Sequence, residues 1–296
     1  MSDEFVSLLA GIAARTTVVL LVALLVARLA VRRSAALRHA VYATAIVGVI
    51  VIPALATLGP GIRAPFLTDA VTSGLQWLKR PIRSLRGEPG GGLVMQPGRD
   101  LSLADGISVA TSHESRPVSR GLLALAILWG AGALLVGGRT AVRAMRATRL
   151  TSRARRVRDP AILAAAATIA RRQGQVVPPI LETVEVSTPA TAGILRPVVV
   201  LPLVRAWTDE HLRTVLAHEL GHVARRDCLT QHLAQAACAL HWFNPLVWVV
   251  ERRMALERER ACDVIAVKDS ASPDGYATLL LHFARPTSPD AGTPAA

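Results

Sequence analysis

The sequence predicts a mainly α-helical membrane protein, with transmembrane helices followed by a cytoplasmic α+β domain that carries a small β-hairpin or sheet. Three observations predict it. The 296-residue chain is 51% hydrophobic with a mean hydropathy of +0.38, too apolar for an ordinary soluble protein. Three apolar segments, about 11–31, 40–58 and 121–138, have the length and character of bilayer spans. Beyond them the apolar spacing turns mixed, with helical periods interrupted by a period-two stretch across 181–202.

The first residues include Asp3 and Glu4 and lack a basic cluster, which argues against a cleaved signal peptide. Arg15 and Arg28 fall near the ends of the first span, where long side chains reach the interface. A short turn with Arg32, Arg33, Arg38 and His39 leads to the second span. By the positive-inside rule that turn is cytoplasmic and the N-terminus is outside. Residues 59–120 then form an extracytoplasmic loop. Its stretch Gly87-Glu88-Pro89-Gly90-Gly91-Gly92 excludes regular structure there, and the loop has too few apolar residues for a core of its own. An interfacial amphipathic helix around Trp77 fits 66–85, weakened by Pro81.

The third span is free of charge. Eight arginines follow between Arg139 and Arg158 before the next acid, Asp159. Arg139, Arg143, Arg146 and Arg153 share a helical face, as a nucleic-acid stripe would. Their position directly after a span favours a stop-transfer helix on anionic cytoplasmic lipid. No direct nucleic-acid binding is therefore expected, although the net charge is 34 − 21 = +13. Cys228, Cys238 and Cys262 cannot all pair and form no C-x-x-C, so they read as reduced thiols.

Asp159 and Pro160 open a helix as N-cap and first residue, and Gly174 closes it. Val184 and Val186, then Gly193, then Val198 to Leu201 read as a strand, a turn region and a second strand. Next comes His218-Glu219-Leu220-Gly221-His222. Thr208 N-caps its helix, Trp207 can staple onto Leu212, and Asp209 and Glu210 suit the first turn. Residues four apart share a helix face, so His218 and His222 can grip one zinc ion. Glu219 stands beside that metal, where a general base belongs.

A catalytic zinc takes a third protein ligand. The downstream candidates are Asp227, Glu251, Glu257, Glu259 and Asp263. On a helix from Pro245 to about Lys268, the face through Glu259 is mostly apolar, so a carboxylate there is expected to be buried and to need a cation. Glu257 lies on the opposite side, beside Arg253 and Arg260, and reads as solvated. Asp263, four residues after Glu259, suits a supporting bond to a ligating histidine. The apolar run 229–250 cannot be a complete span, because His222 and Glu259 must meet at one metal. It reads as a buried or membrane-dipping helix that bends at Asn244-Pro245 and returns, with His232 and His241 as core residues. One more helix is expected over 276–285, then a flexible tail over 286–296.

The run from His218 to Asp227, the block Trp242-Phe243-Asn244-Pro245-Leu246-Val247-Trp248 and the block from Glu257 to Asp263 together resemble the membrane zinc peptidases of the beta-lactam sensor-transducer (antirepressor) family. The resemblance covers roughly 121–283 well and the first two spans in layout. It implies a zincin-like peptidase domain over 139–285, one zinc ion held by His218, His222 and Glu259, Glu219 as base and Asp263 as supporting carboxylate. Many zinc peptidases also hold an extended substrate on an edge strand. Ala192-Gly193-Ile194-Leu195 is the candidate, a plain structural hairpin being the alternative.

The function implied is a multi-pass endopeptidase of the cell membrane, with its active site at the cytoplasmic face. Its substrate would be a cytoplasmic protein such as a DNA-binding repressor, and a homodimer is compatible with the sequence. A quality-control or prenyl-protein zinc protease shares the motif and the later glutamate. A non-catalytic zinc-containing scaffold would not need Glu219. Family members commonly continue to a further span and a sensor domain. No Ser-x-x-K occurs at Lys79 or Lys268, so a penicillin-binding nucleophile is absent from this sequence.

Overall fold

The structure is a computed structural model that describes residues 2–58, 120–204 and 207–269. The expected loop 59–120, apart from Arg120, the helix over 276–285 and the tail 286–296 lie outside the described residues. Twelve short or long elements are built from the rest. Helix α1 (Ser2–Leu29) passes through a 3₁₀ turn (Ala30–Arg32) into α2 (Ala35–Leu58), giving an antiparallel hairpin. The corner is tied internally: Ser34 Oγ accepts the Leu37 N–H at 3.3 Å, and Arg38 Nη1 donates to the Val31 and Arg33 carbonyls at 3.0 and 2.6 Å.

Helix α3 (Arg120–Arg153) joins the expected third span and the arginine stretch into one uninterrupted helix. At 1.5 Å per residue it runs about 50 Å, against a hydrocarbon core of about 30 Å, so its arginine-bearing end projects well past the apolar portion. Among the described residues, three helices, at Leu9–Arg32, Ala35–Pro53 and Arg120–Arg153, are long and apolar enough to cross a membrane.

The second half is a compact α+β layer. Strand β1 (Arg155–Arg156) leads to α4 (Pro160–Arg172), which Asp159 caps by accepting the Ala161 N–H at 2.9 Å. Strands β2 (Ile180–Thr183), β3 (Ala190–Ala192) and β4 (Val198–Pro202) complete a four-stranded sheet of order β1-β2-β4-β3. The β-branched run of β4 fills the centre and pairs parallel with β2 and antiparallel with β3. The first strand of this region falls at 180–183, earlier than Val184 and Val186, which lie beyond its end. A third strand, β3, forms the edge and overlaps the candidate edge segment 192–195 only at Ala192. Gly193 follows it at φ +96°, where a Cβ would run into the Arg196 carbonyl.

Helix α5 (Asp209–Ala224), capped by the Thr208 hydroxyl on the His211 N–H at 3.2 Å, carries the H-E-x-x-H run. Its apolar residues Val215, Leu216 and Leu220 pack with Ile162 and Ile169 of α4 and Val199 and Leu201 of β4. Helices α6 (Asp227–Leu240) and α7 (Pro245–Asp269) then form a second hairpin. A separate core joins it to the membrane hairpin: Leu20 and Ala27 of α1, Ile46 and Val49 of α2, Ala237 of α6, and Val250 and Met254 of α7.

The α6–α7 turn sits deep among the expected spans. His241 Nε2 meets the Val49 carbonyl at 3.2 Å, and Asn244 Nδ2 donates to Thr17 Oγ1 at 3.2 Å while its Oδ1 accepts the Leu246 N–H at 3.0 Å. Thr17 lies fifteen residues of helix from Arg32, or about 22 Å along the hairpin. Neighbouring helices satisfy most of the polar groups of this turn, although His241 Nδ1 is buried without a partner among the described residues.

Helix α3 docks on this turn through tryptophans. Trp129 Nε1 donates to the Leu240 carbonyl and Trp242 Nε1 to the Trp129 carbonyl, both at 3.1 Å. Gly132 leaves room for the Trp242 indole, whose atoms a Cβ would overlap; Gly130 faces open space. Gly132→Ala should therefore cost about 1–3 kcal/mol by overpacking. Gly130→Ala should be neutral or slightly stabilising, since alanine is the better helix former. Thermal inactivation midpoints in detergent should fall for the first and not for the second.

Candidate metal centre

The site forms where α5 crosses α7, beneath the edge strand. His218 and His222 are one turn apart on α5, and their Nε2 atoms approach to 3.1 Å. Glu259 of α7 brings its Oε2 to 3.7 Å from His218 Nε2 and 3.6 Å from His222 Nε2. Ligands bound at about 2.0–2.2 Å to one tetrahedral centre stand about 3.3–3.6 Å from one another, so this triangle is close to the dimensions of a zinc triad. The donor set of two imidazoles and one carboxylate also suits zinc.

Each imidazole is held from behind. His222 Nδ1–H donates to Asp227 Oδ2 at 2.9 Å, and His218 Nδ1 stands 3.3 Å from Asp263 Oδ1. These bonds fix both rings in the tautomer whose Nε2 lone pair faces the triangle. Asp227 reaches His222 because Arg226, at φ 54°, turns the chain through a left-handed conformation between α5 and α6. Sequence reasoning counted Asp227 only as a possible ligand. Its spacing, five residues after His222, was a signal, but that turn is what makes it a support.

Glu259 is held as well. Arg258 Nε and Nη2 donate to its Oε1 at 3.0 and 2.9 Å, which leaves Oε2 toward the histidines, and Arg258 Nη1 donates to Gln231 Oε1 at 3.0 Å. Neither Arg258 nor Gln231 was read from the sequence as a residue of the site.

Two expectations about α7 are corrected. Glu259 is not buried: its side chain is 47% exposed at the cleft. Glu257 is the buried one, at 6% exposure, where Arg38 Nη2 binds Oε2 at 2.6 Å and Arg260 Nη1 binds Oε1 at 2.9 Å. The face read as solvated is covered by the membrane hairpin, a contact from 219 residues away along the chain. The supposed apolar face is in turn partly open, with Leu256 51% exposed.

Glu219, 7% exposed, turns from the ligand face toward the sheet, where Thr191 Oγ1 donates to its Oε2 at 2.7 Å. Thr191 is the middle residue of β3, whose outer edge has no partner among the described residues. The strand beside Glu219 is thus Ala190–Ala192. Of the candidate segment, only Ala192 is in it; Gly193, Ile194 and Leu195 form the loop that follows. A cleft of about 270 Å³ opens between Thr191, His218, Glu219, Gln231, Arg258 and Glu259.

The electrostatics agree with a cation site. Burial works against a charge on His218, yet its bonds to Asp263 and Glu259 raise it to about 9. Glu259 is drawn down to about 2, chiefly by His218. Asp227 also stays below its ordinary range: burial opposes its charge, and the bond to His222 with the charge of Arg225 prevails. Without a metal, then, His218 and Glu259 form an ion pair in the same place. A second cluster, His222, Asp227 and Cys262, lies behind the first. Burial and Asp227 push the Cys262 thiol up, so it packs as a protonated thiol against His222 Nδ1 at 3.3 Å.

The family model described as BlaR1 peptidase M56 matches residues 7–294. The regulatory protein BlaR1 of Bacillus licheniformis is 33% identical over 101 residues, covering 33% of this chain and 17% of that protein. The methicillin resistance mecR1 proteins of Staphylococcus aureus and Staphylococcus epidermidis are each 28% identical over 80 residues, 26% of this chain and 14% of theirs. The matched stretches thus span well under a fifth of these relatives. By the match over nearly its whole length, this chain belongs to the BlaR1 peptidase M56 family, a family of metallopeptidases.

Proposed function

We propose that the protein is a membrane-embedded zinc endopeptidase whose active site faces the cytoplasm and cleaves a cytoplasmic protein. The observation that carries this reading is the triad of His218, His222 and Glu259 with Glu219 beside it, since a purely structural zinc site does not need a base there. A bound zinc ion would supply Lewis acidity toward the scissile carbonyl and lower the pKa of a nearby water to about 7. Thr191 holds Glu219 Oε2, which points the carboxylate and leaves Oε1 to take a proton from the attacking water and pass it to the leaving amine. The free edge of β3 offers backbone groups to an extended peptide directly above that carboxylate. Arg258 keeps Glu259 from swinging away.

The expected outcome for the metal is one equivalent in the wild type. Glu259→Ala should lose it by elemental analysis, and Glu219→Gln should keep it while peptide cleavage falls about 100- to 10,000-fold. Retention of metal by Glu259→Ala would remove the third ligand from the reading.

Topology follows from the arginines. The site lies at the level of the α1–α2 corner, since Arg38 there reaches Glu257 of α7. That corner and the far end of α3 carry the basic residues that mark a cytoplasmic side. In a background without the native cysteines, an impermeant thiol reagent on intact cells should label a cysteine at Ser2 and spare one at Ser152. The opposite pattern would place the site outside.

The resemblance to the antirepressor family makes a dimeric DNA-binding repressor the favoured substrate. Co-expression with a candidate repressor should shorten it in the presence of wild type and leave it intact with Glu219→Gln. Intact repressor in both, with metal-dependent cleavage of a misfolded membrane protein, would assign the enzyme to quality control instead.

A further inference from the structure

We propose that His39, in the first turns of α2, is a positioning residue of the metal centre: it completes the contacts of Asp227 and through Asp227 fixes His222. This rests on the reading of His218, His222 and Glu259 as metal ligands. Asp227 is almost wholly buried, and its two oxygens are unequally served. Oδ2 receives His222 Nδ1 at 2.9 Å, Arg225 Nε at 3.2 Å and the Cys262 thiol at 3.6 Å. Oδ1 is buried and has no hydrogen-bond partner among the described residues. A buried carboxylate oxygen left bare is costly, and native structures rarely tolerate one.

The group facing that oxygen comes from the membrane hairpin. His39 is 5% exposed, and its Nε2 stands 3.9 Å from Asp227 Oδ1. An approach of about 1 Å makes this a hydrogen bond. The same Nε2 is 3.5 Å from Thr230 Oγ1, whose hydroxyl donates to the Asp227 carbonyl at 3.1 Å. His39, Thr230 and Asp227 thus close a small polar cluster behind His222. The preceding residue, Arg38, binds Glu257, two positions before Glu259. Adjacent residues of one corner therefore reach the support of one ligand and the helix that carries another, and the α1–α2 hairpin becomes a wall of the centre rather than only its anchor.

Supporting carboxylates of metal-bound histidines are worth about 10- to 100-fold in metal affinity. Loss of the group that completes such a carboxylate should fall at the lower end. The test uses the full chain in detergent. His39→Leu should weaken zinc about 10-fold in chelator competition, shift the visible bands of the cobalt-substituted protein, and lower kcat with KM unchanged. His39→Gln, which can present an N–H near the place of Nε2, should restore most of the affinity and the cobalt spectrum, which a merely structural role would not predict. Should His39→Leu fail to fold, Thr230→Val removes the second contact and leaves the histidine in place; the cobalt bands should then move in the same direction by a smaller amount. Wild-type affinity and spectrum in these variants would overturn the proposal. A wild-type chain that takes up no metal would overturn the metal assignment itself, a result distinct from that one.

Discussion

The close approach of α5 to α7 is the constraint on which the site depends. Two histidines on one helix define an edge of the triangle, but the third corner comes from another helix and must arrive within 4 Å. Gly221, inside the H-E-x-x-H run, faces α7 at the crossing. A Cβ there would stand 3.3 Å from Ile265 and 3.4 Å from Cys262, tighter than ordinary contacts. The glycine lets the helices close far enough for Glu259 to reach both imidazoles. On the other side of α5, Leu216 and Leu220 are wholly buried against α4 and the sheet, so the helix is pressed from behind as well.

Closeness alone does not set the register of α7; the membrane hairpin does. The Arg38–Glu257 pair is nearly dry, and such pairs are weak evidence of net stability because both charges lose their water. Breaking one is nevertheless severe, since the survivor is left uncompensated. A slip of α7 by one residue would carry Glu257 out of reach of Arg38 and expose that cost. The pair acts as a register pin. Its position, two residues before Glu259, places the pin close to the carboxylate that meets both imidazoles. The tryptophan contacts of α3 and the polar turn beside Thr17 fix the far end of the same helix.

Local chemistry was legible in the sequence; partnership across long separations was not. The Thr208 and Asp159 caps, the apolar helices and the turn at Asn244-Pro245 all follow from residues within a few positions of the feature. The shared face of His218 and His222 follows from helical spacing alone. Glu257 was misread because its neighbours along α7 are arginines, whereas its burial comes from α2. Arg258 looked like one charge among many, and only the fold brings its guanidinium round to Glu259. Strand β3 has three residues, too few to show a period, and it exists because β4 offers it a partner. Asp227 depends on one left-handed residue that no glycine announces.

Formal charge ties these pieces together. Four carboxylates, those of Glu219, Asp227, Glu259 and Asp263, crowd around two imidazoles. Two guanidiniums touch them directly, Arg225 on Asp227 and Arg258 on Glu259. The formal sum is −4 + 2 = −2. A proton on His218, favoured by its rise to about 9, removes one of the two remaining negative charges. A divalent cation removes both, and it does so at the point where the Nε2 and Oε2 lone pairs converge. Because that cation must displace the proton, its binding weakens as pH falls. The same cluster that would be a liability in a packed interior would therefore be balanced by a divalent ion held at that point, and the hairpin that carries Arg38 and His39 closes it off from the apolar side.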